Sequence, residues 1–241
     1  MSKNIISLFD VTGNAGRPWA EAGCHVHCYD IQTTNTTTEH VGTRGGRITY
    51  HHADIMSAGL LFELQALKPV FGFSFPPCTD LASSGARHFA AKLVADKDYK
   101  TKALAMVFRS RDLMEACGVS GYYIENPVGV ISTAWRKPNH LFNPFEFGGY
   151  LPVDDVHPTH PDIIPARDAY TKRTCLWVGG SFTMPTPCPV DVDVDKASVM
   201  HLKLGGRSLR TKNIRSATPR GFAVAIMRAN YTEAMTYRTK A

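Results

Sequence analysis

Short apolar runs recur along this chain, separated by helical or loop-like segments, and most of them end at a polar side chain. "NIISLF" (4–9), "HVHCYDI" (25–31), "ITYHHADI" (48–55), "VFGFSF" (70–75), "GYYIEN" (121–126) and "RTCLWVGG" (173–180) read as strands. Short, largely apolar runs of this kind suit strands covered on both faces. Between them, "RPWAEAG" (17–23) and "MSAGLLFELQAL" (56–67) read as helices, and Pro18 is tolerated in a first turn. Residues 89–117 contain another helix, with Leu104, Val107, Phe108 and Met114 on one face. This alternation predicts an α/β fold on a parallel sheet. In such sheets ligands bind beyond the carboxyl ends of the strands. Asp30, Asp54, Cys78 and Glu125 all fall at that end of an expected strand.

The remaining segments are less regular. "TTNTTTEHVGTRGGR" (33–47) is polar and rich in Gly and Thr, and reads as a surface loop. Residues 136–172 are rich in Pro, His and Asn, with little periodicity. Residues 181–219 are similar and carry Lys203, Arg207, Arg210, Lys212 and Arg215, either a phosphate-contacting surface or a solvated loop. "GFAVAIMRANYTEAMTY" (221–237) reads as a closing helix.

With 241 residues, 44% of them hydrophobic, the chain can bury one sizeable core. No apolar run reaches the roughly 18 residues of a membrane span. The run Ile5 to Phe9 is too short for a signal-peptide core, so a cytoplasmic protein is expected. Six cysteines in a chain this long do not make a disulfide framework. A net charge of +6 and a pI near 9.0 fit a nucleic-acid partner as well as an ordinary basic surface.

The loop "DVTGNAG" can bring backbone N–H groups close to a ligand through Gly13 and Gly16. It is not the dinucleotide pattern, and the phosphate-loop lysine is missing. Asp30 can accept from a ribose diol, and Asp54 from an exocyclic amine. Each alone also reads as a strand-ending turn residue. Together with the loop they point to an adenosine-type site. Pro76 and Pro77 stiffen the backbone and hold Cys78 at the strand's edge. A lone cysteine is often a core residue, but this setting suits a nucleophile. Glu125 ends the next strand, and a carboxyl buried near a cleft can serve as a proton donor. A thiolate and such an acid are what attack on a pyrimidine C6 requires: the ring is protonated at N3 as sulfur adds at C6, and C5 becomes carbanion-like.

No metal site is expected. In "GCHVHCYD" the strand period turns His25 and His27 away from Cys24 and Cys28, and His51, His52, His157 and His160 lack partners at ligand spacing. Trp135 and Trp177 read as core or loop anchors.

Seven pieces, in order, resemble the cytosine-C5 DNA methyltransferase family, especially its small phage- and prophage-type members. "LFDVTGNAGRPWAEAG" resembles the family's first motif, with Val11 where the family has another Gly. Asp30 and "ADI" (53–55) match its second and third acidic positions. "PPCTDLASSGAR" resembles the Pro-Cys motif, with Thr79 in place of the usual Gln, and "ENPVG" resembles Glu-Asn-Val, with Pro127 extra. "YTKRTCLWVGG" resembles the late basic motif, and "GFAVAI" (221–226) the segment that returns to complete the cofactor site, with Phe222 replacing Asn.

The resemblance implies a Rossmann-like class I S-adenosylmethionine-dependent methyltransferase sheet with a small irregular C-terminal lobe. Its parts would be a catalytic domain over residues 1–180, a reduced target-side segment over 181–219, and a returning helix over 220–241. The segment 181–219 has no room for the larger target-recognition domain of typical members. The catalytic residues would be Cys78 and Glu125, with Arg173 or Lys172 holding the base or the catalytic loop. S-adenosylmethionine would be bound by Phe9, Asp10, Thr12, Gly13, Asp30, Ile31, Asp54, Ile55, Pro76, Ala223 and Val224. DNA, with its cytosine flipped out of the stack, would meet Pro77, Thr79, Arg87 and Asn126. The alternatives are the same chemistry on a cytosine nucleotide, a modified one-carbon donor, or a non-catalytic DNA-binding protein on this fold.

Overall fold

The structure is a computed structural model and describes residues 2–192, 203–204 and 208–237. The central strand is β1 (Asn4–Leu8). To one side lie β2 (His25–Asp30) and then β4 (Gly46–His52); to the other lie β5 (Phe71–Ser74) and β6 (Gly121–Pro127). All of these pair in parallel. The chain winds outward from β1 in one direction and then returns to start β5 on the other side. The connections from β1 and β5 therefore leave in opposite directions and open a crevice between them.

Two strands run against this direction. β3 (Thr37–Val41) forms an antiparallel edge with β4. β8 (Thr174–Gly180) is antiparallel to β6 on one side and to β7 (His140–Phe142) on the other. The sheet order is β3-β4-β2-β1-β5-β6-β8-β7. The result is a mixed α/β fold on a mostly parallel sheet, with a small irregular lobe attached.

Two sequence expectations need correction, and two further stretches hold more structure than is read from their sequence. Part of 33–47 is a strand, because β-branched threonines suit an exposed edge that only one neighbour has to pair. The run 173–180 is reversed, which its apolar composition could not reveal. β7 lies inside the stretch 136–172, and at three residues it is too short to show a period. Residues 89–117 form two helices, α3 (Phe89–Ala95) and α4 (Tyr99–Ala116).

Both faces of the sheet are covered. One carries α1 (Arg17–Glu21) and the C-terminal helix, with Trp19 stacked on Phe71 at 4.9 Å between ring centres. The other carries α2 (Leu60–Leu67) and α4, through Leu60, Leu64, Val107 and Met114. After β6 comes the single turn α5 (Ile131–Ala134). α6 (Leu209–Ser216) packs Ile214 into a satellite core with Ile164, Tyr170 and Leu204. α7 (Arg220–Thr236) returns to the sheet, where Phe222 stacks on Phe142 at 3.9 Å. Buried aromatic pairs of this kind add about 1 kcal/mol beyond their area.

Candidate active site

A cavity of about 550 Å³ opens at the carboxyl ends of the central strands. Its first wall is the loop after β1. Phe9 stands in the left-handed region, at φ 57°, an unusual place for a bulky residue. Asp10 folds the loop. One carboxylate oxygen accepts from the Thr12 N–H (2.8 Å), the Thr12 hydroxyl (2.9 Å) and the Gly13 N–H (2.9 Å); the other accepts from the Ser7 hydroxyl (2.7 Å). Gly13, at φ 66°, is required twice over, since a Cβ there would also lie 2.5 Å from the Tyr50 hydroxyl. Across the loop, Asp30 is buried at the end of β2, and its Oδ1 accepts from the Gln32 N–H at 2.7 Å. Burial raises its pKa above the ordinary carboxylate range; the Gln32 N–H pulls it down and the charge of Asp10 pushes it up.

The opposite end is built from β5 and β6. Asn126 Nδ2 donates to the Pro76 carbonyl at 2.8 Å, tying the end of β6 to the proline pair. The N–H groups of Leu81 (3.0 Å) and Ala82 (2.9 Å) donate to the Cys78 carbonyl and turn the chain. The loop is then stitched to the one after β6: Ser83 N–H donates to the Val128 carbonyl at 2.9 Å, and Val130 N–H to the Leu81 carbonyl at 2.8 Å. Gly129 permits this approach, since a Cβ there would sit 2.0 Å from the Leu81 carbonyl oxygen.

Cys78 is half-buried on this loop. Burial raises its thiol pKa above the ordinary 9.0, the charge of Glu125 raises it further, and Lys172 pulls it down. Lys172 Nζ lies 3.7 Å from Glu125 Oε1. Glu125 Oε1 and Asn126 Oδ1 are both buried and accept no hydrogen bond. Two such acceptors at the end of one strand are costly in an apolar interior. A ligand bearing N–H donors would satisfy them.

The cavity wall includes Phe9, Asp10, Thr12, Asp30, Pro76, Pro77, Cys78, Thr79, Glu125, Asn126 and Lys172. Of the alternatives Lys172 and Arg173, the cavity takes Lys172, while Arg173 is exposed outside it. Other anticipated residues also fall outside. The Gly13 N–H is spent on Asp10. Ile31 faces outward, 64% exposed. Asp54 is exposed and caps its own turn, accepting from the Met56 N–H at 2.9 Å. Ile55 is buried in the core with Ile6 and Leu8. Arg87 is exposed on a 3-10 turn, its Nε 3.2 Å from His88. Ala223 and Val224 stay away from the cavity because Phe222 anchors their turn in the aromatic core against Phe142 and Phe147.

Sequence reasoning missed two contributors. Lys92 of α3 donates to the Thr79 carbonyl at 3.1 Å and pairs with Asp80, bracing the chain just after Cys78. Leu209, Asn213 and Ser216 of α6 also line the cavity, beside Lys212 and Arg215 of the anticipated basic run. The available signal for α6 was its cap: Ser208 Oγ accepts from the Thr211 N–H at 3.1 Å. Within the anticipated basic run, Lys203 reaches the Asp162 carbonyl and Arg215 the Leu204 carbonyl, while Arg207 lies outside the described residues. His25 faces Thr49 at 2.8 Å and His27 faces His51 at 3.1 Å. Among the described residues no three side chains are grouped to hold a metal ion, and no helix is long and apolar enough to cross a membrane.

No protein-family model matches the chain, and no curated protein matches it. Among solved structures, the chain is similar to one from E. coli described as a candidate DNA modification methyltransferase encoded within a prophage. The identity is 11% and the TM-score 0.48, over 80% of this chain and 53% of that one. The chain thus spans about half the length of that protein.

Proposed function

We propose that the chain transfers a methyl group from S-adenosylmethionine to C5 of cytosine in DNA. The observation that carries this reading is the meeting, in one cavity, of the Cys78 thiol, on the loop after β5, with the buried Glu125 carboxylate near the end of the adjacent β6, whose Oε1 accepts no hydrogen bond. The cytosine edge offers the donors that Glu125 lacks, its 4-amino group and, once the ring is protonated, N3–H.

At the other end, the residues present suit the cofactor. Asp30 keeps one oxygen on Gln32 and has another for a ribose diol, and Phe9 offers an apolar face. S-adenosylmethionine would supply an electrophilic methyl group there. Cys78 must first lose its proton to solvent, which its raised pKa makes the demanding step. The thiolate then adds to C6 as the Glu125 carboxyl, entering in its neutral form, gives its proton to N3 and holds that edge. C5 gains electron density and takes the methyl. Solvent water takes the C5 proton, which restores the C5–C6 double bond and expels the Cys78 sulfur as thiolate, and N3 returns its proton to Glu125. Lys172, 3.7 Å away, offsets the charge left on Glu125 once its proton has passed to N3.

DNA containing 5-fluorocytosine tests this directly. Fluorine blocks loss of the C5 substituent, so the enzyme would be trapped on labelled DNA through Cys78. A denaturation-resistant adduct carrying label is expected with the wild type and absent with Cys78→Ser. No adduct despite cofactor binding would overturn the reading.

One observation favours the same chemistry on a free cytosine nucleotide. The described part of the segment 181–219 includes a helix that walls the cavity, a position that suits a small substrate. Competition decides between the two: excess nucleotide should leave transfer to DNA unaffected if the polymer is the substrate.

A further inference from the structure

From the placement of α6 we propose that this helix forms a wall of the cofactor-binding end, with Leu209 and Asn213 meeting the donor nucleoside. This rests on the reading above of the cavity as a donor and base site. The helix carries different jobs on different sides. Leu209 and Asn213 are four residues apart, so they share a face, and both line the cavity. Ile214 faces the satellite core with Tyr170 instead, and Arg210 is exposed and does not line the cavity.

The position along the cavity is fixed by a hydrogen bond. Asn213 Nδ2 donates to Gln32 Oε1 at 3.2 Å, and the backbone N–H of the same Gln32 donates to the Asp30 carboxylate. Asn213 is thus one side chain removed from the acid assigned to the ribose. Leu209, one turn earlier, is an apolar side chain on the cavity wall that remains 58% exposed. An exposed leucine at the edge of a pocket holding a buried acid is the contact a purine face would complete. The resemblance places the closing contribution in the returning segment 221–226 instead. Here Phe222 holds that segment in the core, and α6, which precedes it, occupies the cavity wall.

The test is calorimetric titration of the full chain with S-adenosylmethionine and S-adenosylhomocysteine, on the wild type and on Leu209→Ala, Asn213→Ala and Arg210→Ala. Each cavity-side variant should bind about tenfold more weakly, the loss of one contact or hydrogen bond. Arg210→Ala should bind like the wild type. In the wild type, S-adenosylhomocysteine should slow amide exchange across 209–216. If the wild type binds but the cavity-side variants bind equally well and 209–216 gains no protection, this inference is wrong while the functional reading stands. If the wild type binds neither compound, both fall. Should Asn213→Ala also speed alkylation of Cys78, the whole lobe has loosened, and a direct contact is overturned.

Discussion

At its Cys78 end the cavity is walled by the ends of paired parallel strands and by loops stitched to one another through the backbone. At its Asp30 end, part of the wall comes from α6, which reaches the sheet's loops through Asn213 and sits on a small satellite core. The first arrangement fixes atoms in place, as the proposed attack on one carbon of a ring requires. The second leaves a wall that can yield. The comparison suggests a site whose reacting end is preorganised and whose binding end is adjustable. It breaks most sharply at Cys78. The variant Cys78→Ser should lose methyl transfer by roughly a thousandfold or more, since a hydroxyl is a far poorer nucleophile. Its affinity for the cofactor should stay within a factor of about two. A parallel loss of cofactor affinity would mean that the two ends are one unit.

Asp30 probes the other end. Asp30→Ala removes a charged acceptor, and such bonds are worth about 1.5–3 kcal/mol. Cofactor affinity should fall roughly tenfold to a hundredfold, measured by calorimetry, while alkylation of Cys78 proceeds at the wild-type rate. Unchanged affinity would remove Asp30 from the donor site.

The two ends were also unequally legible. Cys78, Glu125 and Asp30 could be read because each directly follows an apolar run, and a parallel sheet puts such positions on one edge. Asp54 satisfied the same rule yet does not line the cavity. It lies two residues past β4, and its carboxylate turned back to cap Met56. Phe222 could be read as a substitution but not as an anchor, because its partners Phe142 and Phe147 sit some 75 to 80 positions earlier in the chain, in a stretch without periodicity. α6 stayed hidden because its apolar face is narrow, with Ile214 alone of its residues in the satellite core. The reversal of β8 was equally invisible, since burial on both faces does not encode direction.

The sheet beneath the donor end carries its own sensitivity. On β2 and β4, His25, His27 and His51 stack in a row. Burial lowers their pKa values, for His25 to about 4 and for His27 to about 3; neighbouring positive charges add to the effect at these two, while Glu63 opposes it at His51. Unfolded, the same rings take up protons near 6.5. Below that pH the unfolded chain binds more protons than the folded one, so stability is full above about 6.5 and falls as pH drops toward 4. Roughly 5 °C of Tm should be lost across that window. His27→Gln should flatten the fall, and amide exchange should speed first in β2 and β4. Uniform loosening of both halves would contradict a difference between them.

The smallest effect tests the charges at the rigid end. Alkylation of Cys78 needs the thiolate, whose pKa is raised by burial and then by Glu125, and lowered by Lys172. In a Cys188→Ser background, which removes the exposed thiol, Lys172→Ala should move the pH midpoint for Cys78 alkylation upward. Near pH 8 the rate should drop by about threefold, the size of one screened charge at short range. Glu125→Gln should move the midpoint the other way and speed the reaction. Opposite shifts are the signature of a thiol held between two charges whose positions do not change. Shifts of the same sign in both variants would mean that breaking the pair at 3.7 Å lets the loop relax, and that the Cys78 end is no more fixed than the wall supplied by α6.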